Sequence, residues 1–95
     1  MYFFNSRIRI ADAVQRARIA ARTGEVSENL AHVADVSVGT PADIECERSW
    51  DMALTVRFDS MADFQVYALD PEHRAYVDEA LKPNAVVMKA WTFKV

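Results

Sequence analysis

Cysteine is nearly absent from this sequence. Cys46 stands alone, so no disulfide can close within the chain, and a reducing compartment is its natural setting. Only two glycines and three prolines punctuate 95 residues. Linkers, repeats and low-complexity tracts are therefore not expected, and the length suits one domain over residues 1–95. No apolar run approaches the roughly 20 residues of a membrane span. The cluster Tyr2 to Phe4 is far too short for a signal peptide. Positive charge is also scarce: 11 Lys and Arg against 14 Asp and Glu give a formal charge of −3, whereas a nucleic-acid partner demands a basic face. The expectation is a cytoplasmic protein with neither a membrane nor a nucleic acid as partner.

What the chain does have is apolar surface. Hydrophobic residues make up 52%, a surplus for a chain too short to bury most of its area. The patterning says where that surface goes. From Trp50 to Asp59 the residues alternate: Trp50, Met52, Leu54, Val56 and Phe58 point one way, and Asp51, Ala53, Thr55, Arg57 and Asp59 the other. That is a strand with one face in a core. Ser60 then caps a helix carrying Met61, Phe64 and Tyr67 at helical spacing, with Asp63 completing a variant of the capping box. Asp70 caps a second helical piece with Pro71 at its first position. Pro83 should end that piece.

Elsewhere, Tyr2 to Ile10 reads as a first strand, with Tyr2, Phe4, Ser6, Ile8 and Ile10 on one face and Phe3, Asn5, Arg7 and Arg9 on the other. Ala11 to about Asn29 reads as a helix with an apolar stripe of Val14, Ala17 and Ala21; Arg16, Arg18 and Arg22 should form a solvated face, and Gly24 weakens the far end. His32 to Gly39 reads as a second strand, Ala42 to Ser49 as an exposed loop holding an incidental thiol at Cys46, and Ala85 to Val95 as a fourth strand. Strand, helix, strand, strand, helix, strand is the split βαβ order. It predicts an α+β, ferredoxin-like βαββαβ fold with helices on one face of a four-stranded antiparallel sheet. Yet the last strand is apolar on both sides, with Val86, Met88 and Ala90 facing one way and Val87, Trp91 and Phe93 the other. Such a strand needs cover twice, and a second copy packed sheet to sheet is the simplest cover.

The other strand faces are not purely apolar. Asn5, Arg7, Asp51, Thr55 and Trp91 are candidate ligand-lining residues for a small apolar molecule. Alternatively, Arg7 or Arg57 pairs with Asp51 or Asp59. Tyr67 and His73 are the candidate reactive pair: a phenol can donate to a developing oxyanion, and an imidazole can take a proton near neutral pH. Equally, both can be core residues with satisfied polar ends. Asp70, Glu72 and His73 have spacing better suited to capping than to a metal, so neither metal nor cofactor is expected.

The run RSWDMALTVRFDSMADFQVYALDPEHRAYV resembles the stress-responsive A/B barrel (Dabb) family. The features are Asp51 early in the third strand, the Phe58-Asp59-Ser60 turn, and Tyr67 followed by Asp70-Pro71-x-His73. The Gly39-x-Pro41 turn and the valine-rich closing strand extend the likeness over nearly the whole chain. The resemblance implies homodimers whose two sheets close a dimeric α/β barrel, with a small molecule in the cleft between sheet and helices. In some relatives it implies a cofactor-independent polyketide-cyclase-like reaction, an intramolecular aldol condensation with histidine and tyrosine as acid and base, here Tyr67 and His73. A further alternative is a non-catalytic structural dimer module. This chain departs from the pattern at Asn5-Ser6, where many relatives carry a first-strand histidine. Asparagine is neither acid nor base, so chemistry needing both histidines would be lost.

Overall fold

The structure is a computed structural model describing residues 1–95. Its sheet grows from the alternation in the third strand. β1 (Tyr2–Ile10), β2 (Asp35–Gly39), β3 (Met52–Phe58) and β4 (Ala85–Lys94) form one antiparallel sheet in the order β2-β3-β1-β4. Met52, Leu54, Val56 and Phe58 are all buried on the face the helices cover, beside Ser6, Ile8 and Ile10 of β1. α1 (Arg16–Glu28), α3 (Met61–Leu69) and α4 (Pro71–Tyr76) lie in the order the strand pattern predicts. The core has two halves. Ile8, Ile10, Ile19, Ala20, Met52 and Leu81 pack at one end, and Leu30, Leu54, Val56, Phe58 and Tyr67 at the other.

Several local expectations are corrected. Asp12 caps a 3₁₀ turn at Ala13–Gln15, so the α-helix proper begins only at Arg16. Its buried stripe is Ile19, Ala20, Thr23 and Ser27, not Val14, Ala17 and Ala21; Val14 is 85% exposed. Two of those four residues are hydroxylic, and Thr23 returns its proton to the Ile19 carbonyl at 2.7 Å, which makes its burial inexpensive. Gly24 does not stop the helix. It sits where α1 meets β2, and a Cβ there would touch Val38 Cγ2 at 3.6 Å. The predicted second strand starts late, at Asp35, after a left-handed His32 (φ 67°) whose Nδ1 lies 3.0 Å from Asp63 Oδ1. Within the expected loop, Asp43 caps a single helical turn, α2 (Ile44–Glu47), by accepting from the Cys46 amide.

Pro83 does not end the last helix. α4 passes into a π-turn over Val77–Leu81 and a final turn over Lys82–Asn84. In the π-turn the Lys82 amide donates to the Val77 carbonyl. The wider register lets the missing proline donor fall inside the helix, and Asn84 Nδ2 covers the Ala80 carbonyl at 2.7 Å. The π-turn has a counterpart in β4. Pairing with β1 shifts between Arg9 and Ile10, whose partners are Val87 and Ala85. Val86 is the extra residue of this bulge and is 65% exposed, so it does not share the covered face with Met88 and Ala90 as strict alternation predicts.

Candidate functional site

Two features converge on Tyr67 and His73. Ser60 Oγ accepts from the Asp63 amide and starts α3, which carries Tyr67 onto the covered face of β3. Asp70 then takes an extended conformation (φ −60°, ψ 127°) and caps α4, its Oδ1 accepting from the amides of Glu72 (2.8 Å) and His73 (3.2 Å). This sharp restart folds the His73 ring back over Tyr67, with ring centroids 4.2 Å apart and planes 36° apart. Phe58, Phe4 and Phe64 complete the cluster, at 5.1, 5.7 and 6.5 Å from the Tyr67 ring. Such tilted contacts are the favourable geometry for aromatic rings.

Burial sets the chemistry of the pair. It pushes the Tyr67 phenol up to about 12, against the neighbouring Ser27 hydroxyl, so the proton stays on. Burial also pushes the His73 imidazole down, against the Ala68 carbonyl and Asp70. The dominant cause is removal from water. His73 Nδ1 is buried with no hydrogen-bond partner, a costly state for a polar atom. The arrangement is a protonated phenol beside a neutral imidazole with an unused nitrogen. It is also closed: Tyr67 is 1% exposed, and neither side chain lines any of the larger cavities.

The other candidates divide by face. Strand register places Ser37, Thr55, Asn5 and Trp91 in one row across the uncovered face, and Asp35, Arg57, Phe3 and Phe93 in the next. Thr55 donates its hydroxyl to Asn5 Oδ1 at 3.1 Å, and Trp91 meets Phe93 edge to face at 6.4 Å. Gly39, Ala53, Arg7 and Lys89 form the third row. Arg57 pairs with Asp59, just past the end of its own strand, at 3.4 Å, while Arg7 has no acidic partner. The structure thus brings Asn5, Thr55 and Trp91 together, with Arg7 one row on, and sets Tyr67 and His73 on the opposite side of the sheet.

Asp51 does not join that uncovered face, and here the expectation is corrected. It is 2% exposed at the head of β3. Its Oδ2 accepts from the Ile10 amide at 2.8 Å, and its Oδ1 from Arg16 Nη2 at 2.7 Å and Nε at 3.0 Å. Arg9 Nε lies 3.6 Å away. Burial alone would raise this carboxyl, but the Ile10 amide and the two arginines outweigh it and hold it below the ordinary carboxylate range. Arg16 also grips Glu47 at 3.0 Å, and Arg9 donates to the Glu47 carbonyl. The cluster ties β1, α1, α2 and β3 together. Sequence reasoning missed it because Arg16 and Asp51 lie on different elements, and only the late start of α1 brings them face to face. At Cys46, the Asp43 carboxylate raises the thiol, which leaves it poorly nucleophilic.

A ferredoxin-like α+β sheet with one covered and one bare face is the class that this geometry defines. Residues 6–92 match the model of the Stress responsive A/B Barrel Domain, and the chain belongs to that family. Solved structures agree on the fold. A Dabb family protein with a ferredoxin-like fold from Mesorhizobium loti superposes with a TM-score of 0.85 at 11% identity, covering 99% of this chain and 95% of that one. A dimeric ferredoxin-like protein of unknown function from Bacteroides fragilis gives 0.79 at 18%, with 99% and 95% covered. Hydroxynitrile lyase from Passiflora edulis gives 0.79 at 17%, with 99% and 92% covered. Among curated proteins none matches this sequence. No helix is long and apolar enough to cross a membrane.

Proposed function

We propose that this chain works in the cytoplasm as a sheet-to-sheet homodimer that binds a small apolar or polyketide-like molecule. The observation that carries the reading is the uncovered face of the sheet. Val87 is 39%, Trp91 39% and Phe93 51% exposed on one strand, beside the hydrogen-bonded pair Asn5–Thr55. Contiguous aromatic surface next to fixed polar groups suits an enclosed interior better than bare solvent. The dimeric state of the Bacteroides fragilis relative supports the same assembly. Asn5, Thr55 and Trp91 would face the enclosed space. Tyr67 and His73 would meet a ligand only where it enters between sheet and helices and parts their stacked rings. The test is sedimentation at micromolar concentration together with a thermal-shift screen of phenolic and polyketide-like compounds. A dimer whose melting temperature rises with such a compound supports the reading; a monomer with an unchanged melting temperature overturns it.

One observation favours a second reading, a cofactor-independent lyase or aldol cyclase. A protonated Tyr67 beside a neutral His73 with an unengaged Nδ1 is the division of labour that acid–base chemistry needs. Asn5 supplies hydrogen bonds but no proton transfer, so that reading rests on the pair alone. Under it, Tyr67→Phe and His73→Ala each lower turnover by about 100-fold or more with the fold intact. If both variants lose only melting temperature, the pair is packing, and a structural dimer module is the better account.

A further inference from the structure

At the end of the uncovered face, the segment from Gly39 to Trp50 arches over the sheet and leaves a hollow of about 330 Å³, walled by Pro41 and Trp50 and floored by Ala53 and Arg7. Of the ten residues that line it, Arg7 alone is charged. The acids of the arch are all engaged elsewhere: Asp43 caps α2, Glu45 pairs with Arg48, and Glu47 with Arg16. Arg7, a half-buried residue, therefore has no anion for its guanidinium. Its cross-strand neighbour makes this worse. Register places Lys89 directly opposite Arg7 on β4, and Lys89 has no ion pair either. Like charges at such positions repel, and covering the face with a second copy would deepen the cost of leaving them unpaired.

We infer that this hollow is a binding site for a small carboxylate with a flat apolar body. The Arg7 guanidinium would grip the carboxylate through its paired N–H donors, with the body against Trp50 and Pro41. The volume matches a ligand of about one aromatic ring with substituents. The inference deepens the small-molecule reading above and rests on it: it names the ligand's charge and the end of the uncovered face where that charge sits.

Benzoate is the probe and benzamide its neutral counterpart. Each is titrated into the full chain while the Trp indole and Arg Nε–H resonances are followed by NMR, with sedimentation run on the same samples. The expected result is benzoate binding that shifts the Arg7 and Trp50 signals, benzamide weaker by about tenfold to a hundredfold, and Arg7→Gln losing a similar factor for benzoate only. Arg7→Lys, which keeps charge but not the planar fork, should retain part of the affinity and serves if the glutamine variant does not fold. Equal binding of benzoate and benzamide, or benzoate affinity untouched in the Arg7 variant, overturns the carboxylate site and leaves small-molecule binding standing. A shift with neither probe overturns the site as well. A monomer that still discriminates benzoate from benzamide sinks the dimer reading alone, because every lining residue belongs to one chain.

Discussion

The two faces of one sheet, built from the same strands, have met different fates. Along β3 the covered side runs Met52, Leu54, Val56, Phe58, none more than 5% exposed, and its one buried charge sits at the rim, where Asp51 is gripped by Arg9, Arg16 and the Ile10 amide. The uncovered side runs Ala53, Thr55, Arg57. Its polar groups sit in the middle, and its aromatics, Phe3, Trp91 and Phe93, crowd onto β1 and β4. The covered side is complete within one chain. The uncovered side is left with unpaired cations, bare indole and phenyl rings, and a hollow beneath an arch. Function is therefore better sought where the chain leaves its own chemistry unfinished, with one exception on the covered side: the orphan nitrogen of His73.

The comparison breaks most visibly at the centre of the covered face. Phe58, with no exposure and ring contacts to Tyr67 and Phe64 at 5.1 and 5.6 Å, should cost about 4 kcal/mol when cut to alanine, read by urea denaturation. Asp51→Asn comes next. It leaves two guanidinium groups facing a neutral amide and should cost about 3 kcal/mol at pH 7. Its pH dependence has a definite sign. The folded carboxyl lies below its ordinary value of 3.8, so its contribution is full above that value and disappears as pH falls through the folded one. The gap between wild type and Asp51→Asn should therefore close in acid. A gap that does not narrow at all as pH falls would mean that the asparagine disrupts packing and not charge.

Most of the covered face was legible because its signal is local. β3 alternates without a break, Ser60 and Asp70 cap as their neighbours suggest, and Tyr67 falls on the helix face that meets the sheet. The failures share a physical cause, which is that one local slip rotates everything after it. The 3₁₀ turn at Ala13–Gln15 moved the stripe of α1 from Val14 and Ala17 to Ile19 and Thr23. The bulge at Val86 took that residue off the alternation of β4. The site was legible in part. Tyr67 and His73 could be paired because a capped restart lies between them in sequence. Asp51 could not be assigned, because the partner that claims it, Arg16, sits 35 residues away on a helix whose phase had slipped. Arg7 and its hollow depend on an arch that composition alone reads as loop.

On the uncovered face the expected effect is smaller and of another kind. Trp91→Ala removes the largest side chain of the bare strand but little of the folded subunit's own packing. Unfolding of a dilute, monomeric sample should hardly change, while dimerisation should weaken by about 2 kcal/mol if the indole is a central anchor of the interface. Sedimentation equilibrium separates the two. An equal loss in both measurements would mean that Trp91 serves its own subunit, and the contrast between the faces would then be one of degree.

His73 supplies the finest test, because it is the place where the covered face resembles the uncovered one. His73→Phe keeps a ring against Tyr67 and deletes the buried nitrogen that has no partner. If Nδ1 is idle in the resting protein, the variant should gain about 1 kcal/mol near neutral pH, since replacing an unsatisfied polar group by an apolar one of similar shape relieves a desolvation cost. The acid side carries the sharper sign. The folded imidazole titrates below its ordinary 6.5, so the unfolded chain takes up a proton that the folded one resists. Stability from this residue is then full above 6.5 and is lost as pH falls from there through the folded value. Urea midpoints measured from pH 8 to pH 5 should drop in the wild type more than in His73→Phe, and the advantage of the variant should widen towards pH 5. A variant that is instead less stable at every pH, with an unchanged slope, would show that Nδ1 has a partner in solution. The covered face would then be finished after all, and the search for chemistry would move wholly to the other side of the sheet.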